Sequence, residues 1–274
     1  ANQSKIVTKL DRNGSFVGNW TPTWLTGTTG LRDLAYDGEY FYGSNADSKI
    51  YCFDVDGTLI TSWSAPAPVR SIAYDEDNDA FWINNWAEDL LLVDRSGNTL
   101  YTISTPPSLY GSAWEKEYSG TPTLWIFTGT SSGGPCQVEK YFDLYDGGIN
   151  MGIQHQVSDD FDPTGIAGGL FFTDEWSPGN GTLGGIIQFS NNTLFGYEII
   201  KEVNTPPEAP TITGPDTGDA GTAYLFTFNA VDPDGDDVRF IIDWGDGSTD
   251  TTDFVASGSD KSVSHIWTVA GNYV

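Results

Sequence analysis

Positive charge is scarce in this chain: 12 Lys and Arg stand against 38 Asp and Glu, a net charge of −26. A surface of that sign repels phosphate backbones, and no basic stripe offsets it, so nucleic acid is excluded as a partner. Histidine is nearly absent as well. His155 and His265 are the two present, and no Ser/His/Asp order, zinc spacing or phosphate loop accompanies them. The chain therefore reads as non-catalytic, with a channel-based lyase or hydrolase using acidic residues and Arg32 as the enzymatic alternative. No window holds 18 consecutive apolar residues, so no membrane-spanning helix is expected. The first residue is Ala1, with no initiator Met and no charged-then-apolar leader, which suggests a processed protein or a fragment. Only two cysteines occur, Cys52 and Cys136, in repeats that are not neighbours. Free buried thiols are expected there, with a disulfide as the other option. Charged residues are just 18% of the chain, whereas there are 32 Gly and aromatics reach 14%. That mix excludes a disordered or coiled-coil protein and suits short strands joined by tight turns.

What is present is a repeat. Leu31-Arg-Asp-Leu-Ala-Tyr-Asp37 returns as Val69-Arg-Ser-Ile-Ala-Tyr-Asp75, and a third copy opens at Leu109-Tyr-Gly-Ser-Ala-Trp-Glu115. After each opening come an aromatic strand, an apolar strand with a polar Gly turn, and a closing strand that leads to Pro. A period near 40 residues with four short strands per unit points to a β-propeller, one sheet per repeat. The turns Asp11-Arg-Asn-Gly14, Asp54-Val-Asp-Gly57 and Asp94-Arg-Ser-Gly97 close hairpins at positive φ; hairpin chemistry explains these Asp residues better than calcium ligation does. Lys5 to Trp20 matches the back half of a repeat, so upstream residues are expected to be missing. The third repeat carries Gly/Ser/Pro insertions at 118–122 and 129–135 and another at 143–150, which are candidate binding loops. The fourth opens at Thr164-Gly-Ile-Ala-Gly-Gly-Leu-Phe-Phe172 and stops after its third strand, Leu194 to Ile200. Four repeats and a half predict a five-bladed ring held incompletely, or six blades if the missing part is large.

The pattern changes after a Pro-rich linker, 204–210. Residues 1–203 form the expected propeller and 211–274 a second β unit. In the latter, Ala223-Tyr-Leu-Phe-Thr-Phe-Asn229 alternates as a half-buried strand. The acidic turns Asp232-Pro-Asp-Gly-Asp-Asp237 and Asp243-Trp-Gly-Asp-Gly247 follow. Together with Ser264-His265 and Gly271-Asn-Tyr-Val274, these motifs resemble the PKD domain, an immunoglobulin-like β-sandwich of extracellular proteins. The fold class implied is all-β, a propeller followed by that sandwich, here without its last strand. The resemblance also implies calcium at Asp232, Asp234 and Asp236. Several carboxylates in one Gly turn suit a hard cation, and an exposed turn with no fixed ion is the alternative. The first 200 residues are similar to NHL/YVTN-like propellers of secreted or cell-surface modular proteins from bacteria and archaea, on the four strand openings quoted above. No defined activity is implied by that likeness.

Position singles out Arg32, Arg70, Tyr110 and Thr164, which begin the innermost strands of successive repeats and could ring one mouth of the channel. Two arginines there suit a carboxylate or phosphate. The simpler expectation pairs them with Asp33, Asp37 or Asp75. Trp24, Trp82, Trp86, Trp114, Trp125 and Trp176 are expected mostly in the core, with one or two exposed enough to stack on a sugar. Sequons at Asn2, Asn13, Asn19, Asn180 and Asn191 fit an exported glycoprotein. The expected function is a non-catalytic extracellular surface protein for adhesion or for assembly of a layer, sheath or filament. Its partners would be other copies of itself or cell-surface proteins and glycans. The alternative is an accessory binding region of a larger secreted hydrolase or peptidase.

Overall fold

A computed structural model describes residues 5–104, 108–130, 134–161, 165–177, 179–188, 192–201 and 205–273. The protein is all-β, built from several antiparallel sheets, and it divides into two compact units, Ala1–Glu202 and Val203–Val274.

In the first unit, three sheets have four strands each, taken in sequence order. The first holds β3 (Leu34–Tyr36), β4 (Phe41–Gly43), β5 (Lys49–Phe53) and β6 (Leu59–Ser64). The second holds β7 (Ser71–Asp75), β8 (Ala80–Asn84), β9 (Leu90–Asp94) and β10 (Thr99–Ile103). The third holds β11 (Leu109–Glu115), β12 (Thr123–Thr128), β13 (Gln137–Phe142) and β14 (Ile149–His155). A three-stranded sheet follows, β15 (Ile166–Ser177), β16 (Asn180–Gln188) and β17 (Thr193–Ile199), while β1 (Val7–Leu10) and β2 (Phe16–Trp20) form a separate hairpin.

The repeated turns share one construction. The Oδ1 atoms of Asp11, Asp54 and Asp94 each accept two backbone N–H bonds, from Asn13 and Ser15, Asp56 and Thr58, and Ser96 and Asn98. Each turn ends on a glycine in the left-handed region, Gly14, Gly57 or Gly97. At Gly97 a Cβ would also run into the Ser64 carbonyl, so this turn seats directly on β6 of the preceding sheet.

Alternation along each strand sends apolar side chains to both faces, and each face packs on the next sheet. Tyr42, Ile50 and Cys52 meet Ile72, Phe81 and Val93 between the first two sheets. Trp82, Leu90 and Leu92 meet Leu124, Ile126 and Tyr141 between the second and third. Trp125, Phe127 and Val138 meet Leu170, Leu183 and Phe195 between the third and the three-stranded sheet. Both cysteines are free and buried in these layers, and burial pushes Cys136 up to about 11, where it stays a neutral thiol.

The first strands β3, β7, β11 and β15 contact one another in a cycle that returns from β15 to β3. Four first strands thus meet around the centre, one from each of the four repeats read from the sequence. Close approach is possible because Gly111 lies against neighbouring backbone and Gly169 against the Asp33 carboxylate: a Cβ would stand 2.5 Å from the Leu170 nitrogen at Gly111 and 2.6 Å from Asp33 Oδ1 at Gly169. The β1–β2 hairpin lies further out between the three-stranded sheet and the first sheet. Arg12 Nη2 donates to the Trp176 carbonyl at 3.3 Å, and the Trp20 and Phe53 rings meet at 5.6 Å.

The second unit has a three-stranded sheet, β18 (Thr211–Thr213), β19 (Ala223–Asn229) and β22 (Lys261–Ile266), and a pair, β20 (Ile241–Asp243) with β21 (Thr249–Thr251). Phe228, Phe240, Ile242 and Trp244 are its core. The His265 ring stacks on Trp244 at 4.5 Å and faces Asp246 at 2.9 Å; Asp246 itself is held down to about 2, first by the Ser248 hydroxyl and then by His265.

Candidate functional site

Everything at the centre of the first unit is organised by Asp33, which is 4% exposed. Its Oδ2 accepts the backbone N–H groups of Ile72 (3.1 Å) and Ser112 (3.0 Å), and its Oδ1 accepts that of Leu170 (3.2 Å). One carboxylate therefore ties β3 to the first strands of the three other sheets. Burial pushes its pKa up to about 7, against the opposing pull of the four backbone donors, Leu34 included.

These bonds fix which residues are equivalent. Leu34, Ile72, Ser112 and Leu170 occupy one level, and Asp33, Ser71, Gly111 and Gly169 the level before it. One step earlier stand Arg32, Arg70, Tyr110 and Gly168. The fourth position is thus held by Gly168, which has no side chain, and not by Thr164, which lies outside the described residues. The equivalent position in the fourth repeat thus falls four residues after Thr164.

Arg32 and Arg70 do not form the ion pairs expected of them. Asp33 is occupied by backbone donors. Asp37 accepts Arg95 Nη2 at 2.9 Å, and Asp75 accepts Trp82 Nε1 and the Tyr145 hydroxyl, each at 3.0 Å. Among the described residues no carboxylate pairs with either arginine, and neither Nε, sealed from solvent, has a hydrogen-bond partner. Arg70 lies with its guanidinium carbon 4.0 Å from the Trp86 ring centroid and 4.9 Å from that of Tyr110. Burial first, and then the charge of Arg32, hold Arg70 down to about 10. Two half-buried cations without a paired carboxylate among the described residues have the chemistry to hold an anion.

At the opposite end of the same strands is a cavity of about 390 Å³. Tyr36, Tyr74, Trp114 and Phe172, each two residues beyond the Asp33-bonded level, contribute to its lining. A second depression, of about 650 Å³, runs between the hairpin turn at Leu10–Gly14 and the residues Trp176, Leu194, Phe195 and Gly196.

The remaining candidates fall as follows. Trp82 and Trp125 are core, Trp24 and Trp114 are half-buried, and Trp86 (44%) and Trp176 (37%) are exposed. Asn13 and Asn19 are exposed. The Asn180 amide is engaged with Glu198 at 3.0 Å, and Asn2 and Asn191 lie outside the described residues. In the second unit, Asp232 is buried and its Oδ1 accepts the backbone N–H groups of Asp234 and Asp236, so it closes its own turn. Asp234 accepts the Thr205 N–H. Among the described residues no group of three His, Cys, Asp or Glu side chains converges to hold a metal ion.

No protein-family model matches the chain, and no curated protein matches it. Similar solved structures include the PKD domain of an M14-like peptidase from Thermoplasmatales archaeon SCGC AB-540-F20. The identity is 43% and the TM-score 0.26, over 26% of this chain and 74% of that one. They also include the β-propeller domain of Cps50 (Swd1) from Myceliophteria thermophila, at 8% identity and TM-score 0.36, over 74% of this chain and 64% of that one. A chain of the mitotic checkpoint complex is similar at 10% identity and TM-score 0.43, over 72% of this chain and 59% of that one. This chain thus spans less than two thirds of the last two.

Proposed function

We propose that the protein is a non-catalytic extracellular surface protein that assembles or adheres by accepting an added β-strand. In this reading the first unit is a β-propeller of four sheets around Asp33 with a two-stranded fifth, and the second is a PKD-like sandwich. The observation that carries it is the free edge of β17. Each of the three preceding sheets has four strands, whereas among the described residues this sheet ends at its third. The edge is seven residues long, pairs with β16 without a bulge, and borders the 650 Å³ cleft with Leu194 41% exposed. A regular unpaired edge of this kind is a template for strand addition, and bulges or charges that would blunt it are missing along β17 apart from Glu198. The strand we assign to it comes from a second copy of this chain.

Leu194→Lys tests the reading, because a lysine on an edge strand opposes pairing while leaving the exposed position free of packing demands. Light scattering after size exclusion is expected to show the unaltered protein in assemblies well above 29.8 kDa and the variant at the mass of one chain. A wild-type mass of one chain at all concentrations would contradict it. The accessory-module alternative, part of a larger secreted hydrolase or peptidase, would then be favoured, supported by the unpaired arginines at the other site.

A further inference from the structure

Beyond strand addition, the arginine end of the central strands has the features of a ligand site. Nine buried side-chain nitrogen and oxygen atoms among the described residues lack a hydrogen-bond partner. Five of them gather here: Arg32 Nε, Asn45 Oδ1, Arg70 Nε, Ser71 Oγ and Asn84 Oδ1. The backbone places them together. Arg32 N–H bonds to the Ser44 carbonyl next to Asn45, Arg70 N–H bonds to the Asn84 carbonyl, and Ser71 pairs with Asn84 across β7 and β8. Buried polar groups are rarely left unpaired, and a cluster of them at one end of the central strands marks a place where polar side chains are not consumed by the fold.

The composition of the cluster restricts the ligand. Two guanidiniums supply donors in a planar fork that matches a carboxylate. The Asn45 and Asn84 oxygens lie sealed from solvent behind them and shape the wall of the site, so the surface left for a sugar ring is aromatic. Gly168 leaves the fourth position of the mouth without a side chain. Trp86, 44% exposed and held by Arg70 on one face, offers an indole beside the arginines. The net charge of −26 works against a multiply charged anion far more than against a single carboxylate. We infer that Arg32 and Arg70, with the exposed indole of Trp86, form a binding site for a sugar acid, a ring that stacks on an aromatic face and carries one carboxylate.

Calorimetric titration of the full chain with glucuronate, a glucuronate-containing oligosaccharide, glucose and inorganic phosphate tests this. Glucuronate is expected to bind saturably, with glucose and phosphate weaker by about tenfold or more, since each lacks one half of the recognition. Stronger binding of the oligosaccharide would identify a polysaccharide as the source, and equal binding the free sugar acid. Arg32→Gln and Arg70→Gln are each expected to weaken glucuronate by about tenfold. Arg70→Lys keeps the charge without the fork and should recover little. If Arg70→Gln fails to fold, Arg32→Gln and Arg70→Lys decide alone. Absence of glucuronate binding, phosphate binding as tightly as glucuronate, or affinity unchanged in the arginine variants would each overturn the assignment. None of these outcomes depends on whether β17 pairs.

Discussion

Asp33→Ala is expected to destabilise the first unit by about 3 kcal/mol or more, the largest effect of any polar substitution in it. The estimate follows from the three N–H groups of Ile72, Ser112 and Leu170 that lose their acceptor inside the ring, each costing about 1–3 kcal/mol when left buried and unpaired. Urea denaturation measures it, and a loss below about 1 kcal/mol would show that the strands meet without the carboxylate. Asp33→Asn separates charge from hydrogen bonding. The folded-state pKa of Asp33 is raised to about 7 from 3.8, so the fold holds a proton that the unfolded chain has released. Stability from this group is therefore full below pH 4 and falls as pH rises to 7, levelling above. The stability of wild type minus that of Asp33→Asn should decline across this window. A flat difference, or a rise, would show that the backbone donors outweigh burial.

Trp82→Ala should cost about 3–5 kcal/mol, the range for removing a large buried aromatic side chain. Trp82 has no exposed surface and fills the layer between the second and third sheets. It also donates Nε1–H to Asp75, which the Tyr145 hydroxyl reaches from beyond β13, so this carboxylate too joins two sheets. Trp82→Phe keeps most of the packing and loses the donor. It is expected to cost about 1–2 kcal/mol, the share of one buried hydrogen bond, and thermal or urea unfolding of the two variants separates the contributions.

The repeat was readable from sequence because its markers are local. An Asp followed three residues later by Gly builds the same hairpin at 11–14, 54–57 and 94–97, and the continuous apolar runs on β5, β8 and β9 follow from sheets packed on both faces. The role of Asp33 was not readable, since its partners are backbone N–H groups up to 137 residues away, which leave no mark in side-chain identity. A trace does exist in hindsight. Aligned repeats put Asp33 over Ser71, Gly111 and Gly169, a single charge in a column of small residues, as expected where backbones converge. The pairing expected of Arg32 and Arg70 failed for the same reason: the nearest carboxylates in sequence are committed across the ring. Thr164 was placed from the opening of the fourth repeat in sequence, whereas the bond from Leu170 to Asp33 puts the equivalent position at Gly168. The motifs of the second unit are local turns and were legible, but the proximity of Asp232, Asp234 and Asp236 in sequence concealed that Asp232 serves the turn.

The account stands most directly on whether the outer edge of β17 is paired in the native protein, and hydrogen exchange of its backbone amides answers that. Protection across 193–199 is expected to rise with protein concentration, while that of the outer strands β6 and β10 stays constant, and Leu194→Lys should abolish the rise. Exchange in β17 that is independent of concentration would contradict strand addition between copies.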